Sequence, residues 1–430
     1  MPLNPFLTLR DTSHVPPTTA ESKLHFLHTA LLMVQNTSIM INIKFSTITT
    51  FLIQNRNAVT LTVVYSLALF IILDGLYHDI IGGGNPWKQG DWLINNHELT
   101  VRRGFFGSSL LVISSFFDIP VLYLLGYIQA AIVSIIFVFF WYVGLRHRNC
   151  DILTFLLISP VFLIFWANDL QGGLRKELLA YLAFLPLLYG IVRDGFLQSQ
   201  HILVSLFLWV IAVVAHEANV FFTPFLVFLI FIGYASQGTM RSLFFYSFAF
   251  VAISASAFVF ALTHSGVESF MDVCRALQDA GLNQHICHGA IRWLEYDFLD
   301  KVDKTQARFF SWDFYYFLVT CLLMCSFIVV IFRNFHPKRA LFFFFIANMF
   351  FLPLYITAID WGRWVSFGMF TFISVFIAVA SQNGTIREIP RMSSISWVCI
   401  LLFCMVFGVH HGGVASFEYG MFKTILQIFF

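Results

Sequence analysis

Long apolar stretches recur along the chain, interrupted by short polar ones. A spanning helix needs about 20 mostly apolar residues. Stretches near that length fall at 58–77, 120–144, 152–167, 177–192, 202–215, 218–235, 242–263, 312–332, 340–358, 365–381 and 394–410. The pattern predicts an all-α polytopic membrane protein of about eleven transmembrane helices. The third to fifth stretches are short, which leaves tilt or partial re-entry open there. Two interruptions are longer: 78–107, and 264–311 between the seventh and eighth spans. The chain divides accordingly into an N-terminal segment, 1–57, a transmembrane helical region, 58–411, and a short tail, 412–430. Residues 1–24 are polar and proline-bearing without periodicity, which predicts disorder, and 25–55 are too mixed for a span. No short apolar core precedes a small-residue cleavage site, so the start does not read as a signal peptide. Met33 and Met40 are alternative starts. No internal repeat of the kind that builds transporters stands out.

Composition excludes a soluble domain of any size. Only 11% of residues are charged against 59% hydrophobic, with a mean hydropathy of +0.80; a soluble domain carries roughly 25% charged residues. The net charge of +2 comes without a basic stripe, so nucleic acid is not an expected partner. No Walker loop, dinucleotide fingerprint, GxSxG elbow or cysteine zinc pair occurs, so neither a cofactor nor a metal is expected. Cys321, Cys325, Cys399 and Cys404 lie inside apolar runs, where a thiol behaves as a small hydrophobe.

Lysine and arginine in short loops set orientation. One alternate set holds Arg146, Arg148, Arg193, Arg241, Arg333, Lys338, Arg339, Arg387 and Arg391, offset only by Asp151, Asp194 and Glu388. That side is expected to be cytoplasmic, with the N-terminus inside and the C-terminus outside. The unusual polar residues then fall together on the opposite side: Asp79, Asp91, Arg102, Arg103, Asp169, Arg175, Lys176, Glu177, His216, Glu217, Asp360, Arg363, His410 and His411. Charges near membrane depth are costly and mark function, so their convergence predicts a shared polar cavity.

The first outer loop reads HDIIGGGNPWKQGDWLINNHELTVRRGFFG. Gly82, Gly83, Gly84 and Pro86 preclude a continuous helix at its start. Asp91 through Phe117 reads as an interfacial helix with Phe105, Phe106, Leu110 and Leu111 toward lipid. Arg102 and Arg103 either bind an anion such as a lipid-linked phosphate or pyrophosphate, or neutralise Glu98 or snorkel to head groups. In NDLQGGLRKE, Arg175 and Lys176 head a helix, where cations oppose the macrodipole and a bound anion explains them better. His216 and Glu217 stand between two apolar runs; Val220 denies them an HExxH zinc motif. Glu217 is either a general base or the partner of an arginine. In AIDWGRW, Asp360 and Arg363 are helix neighbours that pair with each other or meet a substrate, and Trp361 suits an aromatic belt or a sugar-stacking floor. Cys274 and Cys287, thirteen positions apart in the long outer loop, are a disulfide candidate. The charged stretch Glu295 to Arg308 reads as a solvated cap.

DWLIN…VRRGFFG, LRKE, AHE before an apolar run with proline, and DWGRW together resemble bacterial polysaccharide-assembly membrane proteins. The group resembled is the Wzy-type O-antigen and capsule repeat-unit polymerases, EpsG-like proteins among them. The likeness covers about 58–411 in architecture but four short motifs in sequence. It implies a bacterial inner-membrane enzyme of lipopolysaccharide or capsule biosynthesis. Such an enzyme joins undecaprenyl-pyrophosphate-linked oligosaccharides at the periplasmic face, among membrane lipid and other assembly proteins such as a chain-length regulator. Under it, Arg102, Arg103, Arg175, Lys176, His216, Trp361 and Arg363 would bind substrate, and Asp91, Glu217 or Asp360 would deprotonate the acceptor hydroxyl. The largest outer loop is not arginine-rich, which keeps open a related GT-C-type glycosyltransferase with Asp79 or Asp91 as base. A membrane O-acyltransferase using His216, His410 or His411, and a lipid-linked glycan flippase, are the competing classes.

Overall fold

The computed structural model describes residues 54–429 apart from 235–239, 265, 297, 310, 383, 385–390, 413–414 and 417–419. The expectations for residues 1–53, and for Arg387 and Glu388, lie outside the described residues. The chain divides into a unit of 1–56 and a unit of 57–430; the second carries everything below.

Its helices in chain order are α1 (Arg56–Ile81), α2 (Gln89–Trp92), α3 (Gly104–Phe117), α4 (Val121–Arg146), α5 (Asp151–Leu157), α6 (Phe165–Asn168), α7 (Glu177–Asp194) and α8 (Ser199–Ala215). A 3₁₀ turn, Glu217–Phe222, leads into α9 (Thr223–Tyr234), followed by α10 (Met240–Thr263), α11 (Phe270–Asp279) and α12 (Phe298–Gln306). The rest are α13 (Trp312–Ile331), α14 (Pro337–Met349), α15 (Leu352–Thr357), α16 (Trp361–Gln382), α17 (Ser394–Val406) and α18 (Met421–Phe429). Among the described residues the only sheet is a two-residue antiparallel ladder, β1 (Gly408–Val409) with β2 (Ala415–Ser416).

Among the described residues, six helical segments are long and apolar enough to cross a membrane: α1, α4, the run Glu217–Tyr234, α10, α13 and α16. The chain is thus an all-α membrane protein, and among the described residues six of the eleven expected spans are full-length apolar helices. The third expected span, 152–167, breaks at Ser159–Pro160, where proline removes a backbone donor and its ring opposes helix at the residue before it. The resulting irregular stretch is buried throughout, the condition under which non-helical backbone is tolerated at membrane depth. The ninth breaks between α14 and α15, just before Pro353, and the eleventh stops at Val406, where the chain turns extended into β1.

Burial ranks the helices. The apolar window of α16 is 78% buried and that of α10 only 17%, so α16 is the central element and α10 a peripheral one. α16 packs on α7 through Phe370, whose ring stacks 3.6 Å from Tyr181, with Phe184, Phe222 and Phe162 around it. At one end of the bundle Asn57 donates to Asp151 (2.8 Å) and accepts from Trp397 (3.0 Å), while Asp151 accepts from the Met392 backbone (2.6 Å). This clamps the starts of α1, α5 and α17. The loops that carry the sequence-predicted polar residues lie at the opposite end.

The expected interfacial helix from Asp91 to Phe117 is two helices, not one. Asn96 accepts from the Val101 backbone and Asn95 from that of His97, local side-chain turns that end α2 and redirect the chain. Only α3 continues, and its Leu110 is buried instead of lipid-facing, while Phe105 is exposed. The glycines of RRGFFG explain this packing. A Cβ on Gly104 would lie 1.8 Å from Asn96 Oδ1, and one on Gly107 2.1 Å from the Ile94 carbonyl oxygen.

Candidate functional site

Five cations and four carboxylates from distant parts of the chain meet at the loop end of the bundle. Arg102 and Arg103 come from the turn before α3, Arg175, Lys176 and Glu177 from the head of α7, and Glu217 from the turn after α8. Asp360 and Arg363 come from the head of α16, and Asp91 from α2.

Arg103 binds Glu217 as a fork, Nε donating to Oε2 at 2.7 Å and Nη2 to Oε1 at 2.5 Å, and its Nη1 donates to Asp91 at 3.3 Å. Arg102 lies 3.3 Å from the same Glu217 Oε1. Arg363 forks onto Glu177 (3.3 and 3.1 Å) and also pairs with Asp360. Lys176, fully buried, donates to the Arg103 carbonyl at 3.0 Å. Burial pushes its ammonium down to about 8, against the opposing pull of Asp91. Burial alone would raise Asp91, but Lys176, His216, Arg103 and Arg175 together hold its carboxyl below the usual range. Asp360 is likewise drawn down to about 2, Arg363 and Arg175 overcoming burial.

Arg175 differs from the others. It is 8% exposed, its Nε is buried with no partner, and its closest carboxylate, Asp360, stays 4.0 Å away. Its Nη2 donates to the Gln171 carbonyl at 3.4 Å, and Trp87 lies 5.9 Å under its guanidinium. Arg102 Nε is also buried without a partner. Cations outnumber carboxylates here; the Nε atoms of Arg175 and Arg102 are buried unmet donors, and Asp91 Oδ2 is a buried unmet acceptor.

The backbone that presents Arg175 is constrained. Leu174 adopts a left-handed φ of 57°, as does Arg103 at 66°, conformations that cost a non-glycine residue of order 1–3 kcal/mol and persist where the surroundings impose them. The imposing groups are Trp92 Nε1 and Gln129 Nε2, which donate to the Leu174 carbonyl at 2.9 and 2.7 Å. Gln129 in turn accepts from Gln89 at 3.0 Å.

Two expected substrate contacts have structural partners, His216 beside Glu217 within the cluster and Trp361 in the core. Trp361 is 1% exposed, packed among Phe309, Phe314 and Phe317, and donates to the Tyr355 carbonyl. It is a core residue, not a sugar-stacking floor; the exposed ring beside the cluster is Trp87. His216 Nδ1 accepts from the Ala218 backbone at 3.1 Å, capping the 3₁₀ turn, and burial pushes it down to about 3. Arg102 does not neutralise Glu98, which instead accepts from Arg275 at 2.7 Å.

A second group adjoins the first. His411 Nδ1 lies 2.7 Å from Asp169 Oδ2, and His410 Nε2 4.0 Å from Oδ1. The ligand atoms of all three lie within 4.8 Å of one another, close enough to share a metal ion. Asp79 pairs with Lys88, fixing the GGGNPWKQ turn. Cys274 and Cys287 are joined, Cα–Cα 5.9 Å, and the segment they close seats on the first loop: Asn95 donates to the Val273 carbonyl, and Gly90 leaves room for the Ile286 oxygen.

Sequence reading did not find Gln129, the lone amide within the apolar run of α4, though an isolated polar side chain at membrane depth is a recognisable signal. Trp87 and Trp92 gave no pattern of their own. No family model, curated protein or solved structure matches this chain.

Proposed function

We propose that the chain is a membrane glycosyl transfer enzyme that joins lipid-pyrophosphate-linked oligosaccharides, polymerising the repeat units of a surface polysaccharide such as O antigen or capsule. The observation that carries this reading is the surplus of buried, incompletely bonded guanidinium at one end of the bundle, Arg175 above all. A guanidinium fork suits phosphate oxygens, and a pyrophosphate would complete the bonds that Arg175 and Arg102 lack. Arg103 and Arg363 are already forked onto carboxylates and serve as frame. Undecaprenyl pyrophosphate is the carrier this reading implies for a chain embedded in the membrane. Its leaving group is already activated, so the site supplies positioning and charge stabilisation. No cofactor is required for this chemistry.

The Cys274–Cys287 bond lies at the same end as the cluster. Disulfides persist in oxidising compartments, which supports a periplasmic face of the bacterial inner membrane. Transport is less well supported, because among the described residues the clustered cations lie at one end of the bundle.

The test is a strain lacking the gene, its surface polysaccharide run on a gel after complementation with wild type, Arg175→Ala or Arg102→Ala. Single repeat units in the deletion, long chains with wild type and none with well-expressed variants are expected. Unchanged polysaccharide in the deletion strain rules the reading out.

A further inference from the structure

We infer that Asp169 and His411 form a general-base pair, with His411 Nε2 taking the proton from the acceptor hydroxyl. The inference rests on the glycosyl-transfer reading and names a base that sequence reading assigned to carboxylates.

Two of those carboxylates are committed to guanidiniums: Glu217 has both oxygens on Arg102 and Arg103, and Asp360 is paired with Arg363. Asp91, 2% exposed, has Oδ1 on Arg103 and a buried Oδ2 with no hydrogen-bond partner, and so is closed off from an acceptor hydroxyl. His411 is differently placed. Its backbone N–H and Nδ1 both face Asp169 Oδ2, at 2.5 and 2.7 Å. Asp169 Oδ1 accepts from the backbones of Gln171 and Gly172, so the carboxylate is oriented and kept in its ionised, accepting form. A carboxylate at Nδ1 requires the hydrogen there, which leaves the basic lone pair on Nε2. This is how a buried aspartate orients the histidine of an acyl-transfer triad. The next-door ring has the opposite tautomer: His410 Nδ1 accepts from the Gly412 backbone at 3.2 Å, so its Nε2 carries the hydrogen and is no base.

Location also fits. A Cβ on Gly172 would stand 2.9 Å from both Asp169 Oδ2 and the His411 Cβ, so glycine is what lets the turn carrying Arg175 approach the pair. Gly362 N–H donates to the His411 carbonyl at 3.0 Å, tying the pair to the turn bearing Asp360 and Arg363. The acceptor O–H bond breaks as its proton passes to Nε2. The oxygen bonds the anomeric carbon, and the anomeric C–O bond to pyrophosphate breaks with its electron pair leaving on the phosphate. The imidazolium then returns its proton to water.

The test uses the full chain in liposomes with a lipid-pyrophosphate-linked oligosaccharide. His411→Gln and His411→Gly should each lower kcat by about 10²–10⁴-fold with KM little changed. Added imidazole should restore part of the rate to His411→Gly alone. Asp169→Asn should lower kcat. A His411→Gln enzyme with wild-type kcat, or a folded His411→Gly enzyme deaf to imidazole, overturns the base assignment. So does activity abolished by a chelator and restored by zinc or manganese, which would make the three residues a metal site. Wild type without any product overturns the glycosyl-transfer reading itself.

Discussion

Arg103→Met removes the centre of the ion-pair network while keeping an apolar stem. Three charge-assisted hydrogen bonds go, two to Glu217 and one to Asp91. Breaking a buried pair by deleting one partner costs about 3–5 kcal/mol, mostly the penalty of the charge left behind. Arg102 still reaches Glu217 Oε1 at 3.3 Å and Lys176 lies beside Asp91, so the loss belongs at the lower end, about 3 kcal/mol. Adding Glu217→Gln removes one stranded charge and should return about 1–2 kcal/mol, a coupling of the size expected for residues in one network. Unfolding by increasing SDS in mixed micelles, followed by tryptophan fluorescence, measures both variants against wild type. An Arg103→Met protein within about 1 kcal/mol of wild type, or a double variant whose losses merely add, would refute the idea that Glu217 is held charged by Arg103.

Further expectations concern the frame, the turn glycines, the ammonium and the cap. Gln129→Leu leaves the Leu174 carbonyl with Trp92 alone and the Gln89 amide unpaired; about 1–3 kcal/mol of stability should be lost, with weaker pyrophosphate binding in the same preparation by calorimetry. Gly107→Ala drives a Cβ to within 2.1 Å of the Ile94 oxygen; poor yield or a broadened gel-filtration profile is expected, and a monodisperse, wild-type-like sample would contradict that packing. Lys176 is pushed down to about 8 from an ordinary value of 10.5, so its charge is lost between those two pH values earlier in the folded protein than in the unfolded chain. Folding stability therefore gains from this group as pH rises through 8 toward 10.5, while inorganic pyrophosphate affinity should fall from pH 7 to pH 9; pH-independent affinity would count against Lys176 as an anion ligand. Replacing Cys274 and Cys287 by serine opens a short loop, and a loss of about 2–4 kcal/mol is expected in the same SDS titration.

The membrane character of the chain was legible because lipid exposure demands apolar length, which composition reports directly. The breaks were less so. Pro160 and Pro353 stand inside runs apolar enough to pass as spans, and only tertiary burial tells that the irregular backbone between α5 and α6 is sheltered by protein. At the site, alternation of the spans was enough to bring Asp91, Arg103, Arg175, Glu217 and Arg363 to one end. Their pairing was not readable, since which carboxylate meets which guanidinium depends on loop paths such as the Asn95–Asn96 turns. Trp361 shows the same limit. A tryptophan beside an aspartate fits a sugar floor or a packed core equally well, and its neighbours Phe309, Phe314 and Phe317 decide for the core.

The most direct measurement is polymerisation by the purified protein in liposomes supplied only with a lipid-pyrophosphate-linked oligosaccharide, the products resolved by gel. A ladder of longer glycans with wild type, absent with an Arg175→Ala protein of unchanged SDS stability, is the predicted result. A stable wild-type protein that leaves the oligosaccharide at its starting length, or an Arg175→Ala protein that extends it as fast as wild type, would contradict the account.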